Sequence, residues 1–269
     1  MKEVFNVMMR IFDTHAHYDD KRFDEDREGL IESLKDGNVG AVVNIGVSLE
    51  SSQFTVNMTK KYDHVYGTVG VHPSDIFEME ETDEIPLLKR MAEENKKIVA
   101  IGEIGLDYHY DNIVESVQQK WFVEQMHLAK ELKLPIVVHS RDAAKDTLDI
   151  MKAEKAGEIG GVIHCYSYSV EQARDYLNMG FYFGIGGVLT FKNAKKLCEV
   201  VDYVPLDKIV LETDSPYLSP EPFRSKRNYS AYLSYVAEKI AEIKKIDVDE
   251  VYNTTWNNAH ELYRIKQEA

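Results

Sequence analysis

Two histidines one residue apart, His15 and His17, end the first apolar run, Ile11-Phe12-Asp13-Thr14-His15-Ala16-His17. On an extended strand, side chains at i and i+2 share a face, so this spacing aims two imidazoles at one point. Further ligand-type residues recur at the same place in later runs: His72 after the third, Glu103 after the fourth, His139 after the fifth, His164 after the sixth and Asp214 after the eighth. Singly each has a plain explanation, since His139 or His164 could be a satisfied core histidine and Asp214 in Thr-Asp-Ser-Pro could cap a turn. Collected at strand ends they read as one constellation. His64, His127 and His260, at a strand start or within helices, read as structural.

Four imidazoles and two carboxylates suffice for two divalent metal ions with a carboxylate shared between them. The mixed nitrogen and oxygen donors suit Zn, Mn, Ni or Co and are less typical of an all-oxygen Mg site, so metal identity stays open. Two such ions would lower the pKa of a water between them and clamp the attacking and leaving oxygens of a displacement. Hydrolysis is the reaction class that follows.

The elements that must position these residues are short β-branched runs at 11–15, 39–46, 65–71, 98–102, 135–139, 160–164, 181–186 and 208–213, alternating with segments of helical periodicity. Eight β-α units in roughly 250 residues predict an α/β fold, a (β/α)8 TIM barrel whose site lies at the C-terminal ends of the strands, over a doubly wound sheet. Only a barrel brings every strand end to one mouth. Ser169 with Gln172 gives a helix start and Gly180 its end; Asp247 with Glu250 opens a final helix. Val117, Trp121, Phe122, Leu128, Ala129 and Leu132 form one apolar stripe, so Trp121 packs against the barrel wall.

The 269 residues contain 46 Asp plus Glu against 32 Lys plus Arg, a net charge of −14 that argues against coating nucleic acid through bulk electrostatics. Two cysteines, Cys165 and Cys198, have no framework spacing and suggest a reducing, cytoplasmic setting without a disulfide. No apolar stretch predicts a membrane span, and no obligate protein partner is evident. A single domain is expected over 1–269, with 1–10 as a short disordered arm and Met8 or Met9 as a natural start. Arg141, Lys192, Arg224, Lys226 and Arg227 fall just beyond the fifth, seventh and eighth strands, where barrels often bind phosphate. A solvated charge run is the plain alternative. Tyr108, His109 and Tyr110 could stack on bases, or belong to a packed loop.

The motifs Phe12-Asp13-Thr14-His15-Ala16-His17, Gly70-Val71-His72-Pro73, Gly102-Glu103-Ile104-Gly105-Leu106-Asp107-Tyr108, His139-Ser140-Arg141-Asp142-Ala143, Ile163-His164-Cys165-Tyr166, Thr190-Phe191-Lys192-Asn193-Ala194 and Leu211-Glu212-Thr213-Asp214-Ser215-Pro216 run through nearly the whole chain. In content and order the sequence resembles the TatD-type metal-dependent deoxyribonucleases of the amidohydrolase superfamily. The resemblance implies that His15, His17, Glu103 and Asp214 hold one metal, that Glu103 bridges to a second held by His139 and His164, and that Asp214 helps deprotonate the attacking water. It implies a DNase or exonuclease acting on DNA or other nucleic-acid ends; from their places beyond the strand ends, His72, Arg141, Arg224, Lys226 and Arg227 are expected to bind substrate.

Departures from the family pattern are Ser74, where His-Pro-His is common, Ala16 for a frequent cysteine, and Ser225 and Ser230, in a segment with serine where glycine is usual and no proline after Asn228. None is a proposed ligand, so substrate preference rather than chemistry is affected. The rival reading is amide or ester hydrolysis, including an aminoacyl ester on RNA, because the same activated water attacks carbonyl carbon. A non-catalytic metal-binding barrel is third.

Overall fold

The computed structural model describes residues 11–76, 84–111 and 113–266. The expected N-terminal arm, 1–10, lies outside them. Eight strands, β1 (Ile11–Ala16), β2 (Val39–Asn44), β3 (Val65–Val69), β4 (Ile98–Asp107), β5 (Ile136–Arg141), β6 (Gly161–Ile163), β7 (Tyr182–Ile185) and β8 (Ile209–Leu211), form one parallel sheet in chain order. Between and after them run helices α1 (Arg27–Ser33), α2 (Leu49–Lys61), α3 (Ile85–Glu94), α4 (Glu115–Leu132), α5 (Ala144–Ala153), α6 (Val170–Asn178), α7 (Lys195–Tyr203), α8 (Leu233–Lys244) and α9 (Val248–Leu262). This is the predicted (β/α)8 barrel.

Strand β8 returns to β1 and closes the barrel at its C-terminal rim. The Asp214 N–H donates to the His15 carbonyl at 2.9 Å, and the His17 N–H to the Ser215 carbonyl at 2.8 Å. Beneath this seam the Asp13 carboxylate accepts from the Thr213 N–H (3.0 Å), the Thr213 hydroxyl (2.7 Å) and the Ser230 hydroxyl (2.7 Å). The strands that carry His15 and Asp214 are thereby locked in register.

One apolar cluster fills the barrel interior, with Phe12, Val43, Val99, Val137, Val162 and Val210 meeting Ala259, Leu262 and Tyr263 at the end of α9. A larger cluster separates barrel from helices and contains Trp121, Phe122, Leu128 and Ala129 of α4, the stripe read from sequence. The helix signals also hold. The Ser169 side chain accepts from the Gln172 N–H, Gly180 has φ +82°, and Asp247 caps α9 through Asp249 N–H rather than Glu250. Among the described residues no helix is long and apolar enough to cross a membrane.

Strand limits differ from the sequence expectation where the site is built. Strand β4 continues five residues beyond Gly102, and β5 continues past His139 to Arg141. Glu103 and His139 therefore sit within strands, not after them. Gly105 makes this extension fit: it has φ +143°, and a Cβ there would lie 1.9 Å from the His139 carbonyl oxygen.

Candidate metal centre

Strand β1 places His15, with His17 just beyond it; β4 supplies Glu103 and Asp107; β5 supplies His139 and Arg141; His72, His164 and Asp214 follow β3, β6 and β8. All but the buried His15 line one cleft of about 400 Å³, and His15 reaches it through Glu103 and His17. Glu103 is its centre and is only 3% exposed. An isolated carboxylate buried so deeply costs several kcal/mol, so it requires cationic company.

That company divides between the two carboxylate oxygens. Glu103 Oε2 lies 3.3 Å from His15 Nε2 and 3.8 Å from His17 Nε2. Glu103 Oε1 lies 2.8 Å from His139 Nδ1, 3.7 Å from His72 Nε2 and 3.8 Å from His164 Nε2. Asp214 Oδ1 completes the first side, 3.3 Å from His17 Nε2 and 3.7 Å from His15 Nε2, and reaches His164 Nε2 at 3.8 Å. The six residues predicted as ligands thus share one cluster.

The donor set fits divalent ions. The Nε2 atoms of His15 and His17 face each other at 3.1 Å with Glu103 and Asp214 oxygens beside them. Ligands held ~2.1 Å from a tetrahedral ion stand roughly 3.4 Å apart, which is the spacing seen. Among the described residues four groups of donor atoms lie mutually within 4.8 Å: His15, His17 and Asp214; His15, Glu103 and His164; His72, Glu103 and His139; and, behind His164, the group of His164, Cys165 and Glu212.

Polar contacts orient the His164, His139 and His72 rings, whereas the buried His15 Nδ1 has no hydrogen-bond partner among the described residues. His164 Nδ1 lies 3.1 Å from Glu212 Oε1, leaving Nε2 toward the cleft. His139 is gripped from both sides, by Glu103 at Nδ1 and by Asp107 at Nε2 (3.3 Å). His72 is different. The Ser74 backbone N–H donates to its Nδ1 at 3.1 Å, so in the neutral ring Nε2 carries the proton and presents a donor, not a lone pair. This geometry suits a substrate contact, the role expected for His72, better than ligation.

Charges in the ion-free cluster are mutually adjusted. Burial opposes charging of Glu103, yet the imidazoles around it, His164 foremost and His139 through its hydrogen bond, hold its carboxyl well below the usual range. Burial likewise opposes protonation of His17 and His164, but Asp214 and Glu103 raise His17 to about 9, and Glu212 and Glu103 raise His164 to about 10. His72, desolvated beside His139, falls to about 3 and stays neutral. Asp214 is kept below the ordinary carboxylate range by His17 and His164 against its own desolvation. Protons occupy the places that cations would take.

The substrate-binding predictions fare unevenly in geometry. Arg141 lines the cleft, as do Tyr110 and His72. Arg224, Lys226 and Arg227 instead line a separate depression of about 400 Å³ with Arg22 and Phe191. Arg224 stacks over Phe191 at 4.0 Å, and Arg227 makes two bonds to Asp26 at 2.8 and 2.6 Å, so its charge is already paired. Of the aromatic trio, Tyr108 is tied to Asp146 and Gln119, and His109 pairs with Asp142; Tyr110 is left 49% exposed. Ser230 belongs to the Asp13 network beneath the seam, not to the cleft.

Sequence reasoning missed Asp107, Glu212 and the cleft-lining Asp19, Asp20 and Asp75. Asp107 was findable: positions 103, 105 and 107 share one face of an extended strand, but β4 was expected to end at Gly102. Glu212 had no sequence signal. Its place requires Gly184, where a Cβ would lie 2.0 Å from Glu212 Oε2.

A family model described as TatD related DNase matches residues 12–264. The chain belongs to this TatD family. It is 44% identical over 255 residues, 95% of this chain and 99% of the relative, to YabD of Bacillus subtilis strain 168, described as an uncharacterized metal-dependent hydrolase. YcfH of Escherichia coli K12, described in the same words, is 35% identical over 263 residues, covering 96% of this chain and 97% of its own. The crystal structure of the TatD homologue YJJV from E. coli K12 superposes with a TM-score of 0.90 at 28% identity, covering 96% of this chain and all of that one.

Proposed function

We propose that this TatD-family protein is a divalent-metal-dependent hydrolase that cleaves phosphodiester bonds at the ends of DNA or other nucleic acids, using two ions per chain. The observation that carries the reading is the division of Glu103, whose Oε2 faces His15 and His17 while Oε1 faces His139. A carboxylate placed this way bridges two donor groups. The first group is His15, His17 and Asp214; the second is His139 and His164, with Glu103 common to both.

Bound divalent ions supply Lewis acidity, lowering the pKa of water and stabilising negative charge on phosphoryl oxygens. The chain's own residues do the rest. Asp214, the most open of the ligating carboxylates at 20% side-chain exposure, stands where it can accept a proton from an attacking water. His72 Nε2–H donates to a phosphoryl oxygen as charge develops there, and Arg141 at the end of β5 offers a planar pair of donors to the same group. Glu212 and Asp107 hold the His164 and His139 rings in place.

The acidic cleft, with Asp19, Asp20 and Asp75 at its edge, repels a polyanion unless cations are present. Substrate binding should therefore depend on the ions as strongly as the chemistry does. The deciding experiment incubates metal-loaded protein with end-labelled DNA, RNA and ester substrates, with and without chelator. Chelator-sensitive trimming of labelled ends supports the proposal. Hydrolysis of esters alone, with nucleic acid untouched, would replace it by the carbonyl-hydrolase reading.

A further inference from the structure

Beside the metal cleft lies a second cavity of about 420 Å³ that the hydrolytic chemistry leaves unused. Its apolar walls are Pro73, Ile113 and Val114, and its rim is Tyr110. Tyr110 (49%) and Val114 (43%) are two of the few large apolar side chains exposed in the described residues. Ser74, Asp75 and Tyr110 line both spaces, so the cavity adjoins the cleft through them.

The wall is braced rather than incidental. Gln118 on α4 accepts the Asp107 N–H at 2.9 Å and donates to the carbonyls of Asp107 (3.0 Å) and Pro73 (3.1 Å). One amide side chain thus ties the strand bearing the site to the loop that lines the cavity. Arg141 lies on the cleft side of Tyr110, 5.8 Å from its ring centroid.

We infer that this cavity is the subsite for the nucleobase of the nucleotide whose phosphate enters the metal cleft. The inference rests on the nucleic-acid reading above. A flat apolar ring stacks on Tyr110 and is enclosed by Pro73, Ile113 and Val114, while its phosphate remains beside Arg141 and His72. The volume is in the range of small-molecule sites. Asp75, whose carboxylate makes no hydrogen bond to another described residue, accepts from exocyclic amino groups at the base edge. Base stacking on an aromatic ring is worth about 1–3 kcal/mol, roughly a fivefold to 150-fold change in affinity.

The test uses metal-loaded full-length protein and single-stranded oligonucleotides carrying, at the 3′ or the 5′ end, either a normal nucleotide or an abasic tetrahydrofuran analogue. The wild type should show a KM on the order of tenfold higher for the abasic form of whichever end it attacks. Val114→Trp, which fills the cavity from its exposed rim, should raise KM for the normal end by a similar factor and leave cleavage of the abasic end within twofold. Tyr110→Ala, which removes the stacking face without adding bulk, should weaken the normal end in the same direction. Equal KM for normal and abasic ends in the wild type would overturn the subsite while the nuclease reading stood. Absence of cleavage of every oligonucleotide would overturn both.

Discussion

The Ser74 backbone N–H donates to His72 Nδ1 at 3.1 Å and fixes the imidazole so that Nε2 faces Glu103 as an N–H. His72 therefore presents a neutral hydrogen-bond donor to the cleft. His72→Ala should lower kcat by ~100-fold, the scale for loss of one donor to developing charge. Metal content should be unchanged. If elemental analysis of the purified variant shows one ion fewer than wild type, His72 is a ligand instead.

Glu103 touches both donor groups, so its removal should affect both ions. Glu103→Ala should abolish tight metal binding in calorimetric titration and lower turnover by at least ~1000-fold. In the wild type, ion at a hundredfold excess over its Kd should stabilise the fold by about 2.7 kcal/mol per site. The variant should lose that metal-dependent rise in Tm. Two ions still bound at wild-type affinity would remove Glu103 from the bridge.

Asp214 has a left-handed backbone (φ 55°), which asparagine also tolerates, so Asp214→Asn should fold normally. The amide cannot take a proton and is a poorer ligand. Turnover should fall by ~1000-fold or more, with thermal unfolding of the ion-free protein little changed. Near-normal kcat in a metal-loaded variant would exclude Asp214 from the proton transfer.

Metal affinity should rise with pH. In the ion-free protein His17 is raised to about 9 and His164 to about 10, both above the ordinary histidine value, so both carry protons at neutral pH. An ion must displace those protons, and the penalty shrinks as pH climbs toward these values. Titration calorimetry in buffers of different ionisation enthalpy should reveal proton release at pH 7, diminishing by pH 10. Affinity independent of pH, without proton release, would contradict this.

The basic loop after β8 should divide into two roles. Arg227 is paired with Asp26 and packs over Phe23, so Arg227→Ala should lower stability while leaving the salt dependence of DNA binding nearly unaltered. Arg224 and Lys226 line the neighbouring depression without a carboxylate partner among the described residues. Neutralising that pair should reduce the log-log salt slope by about one unit for each phosphate no longer neutralised, with little effect on kcat. An unchanged slope in the double variant would make them ordinary surface charges.

The sequence alone was enough for the eight-stranded barrel and for bringing His15, His17, Glu103, His139, His164 and Asp214 to one mouth. Alternation of β-branched and helical runs is a local signal, and a closed parallel barrel sends every strand's C-terminal end to the same place. Where β4 and β5 stop, which nitrogen His72 offers, the pairing of Arg227 with Asp26 and the burial of Glu212 behind His164 were decided only in three dimensions. Most of these depend on a partner distant in the chain: Gly105 against the His139 carbonyl, Asp26 against Arg227, Gly184 against Glu212. Periodicity and capping reach only about one turn along the chain, whereas the state of a buried charge is set by whatever packs within a few ångströms of it.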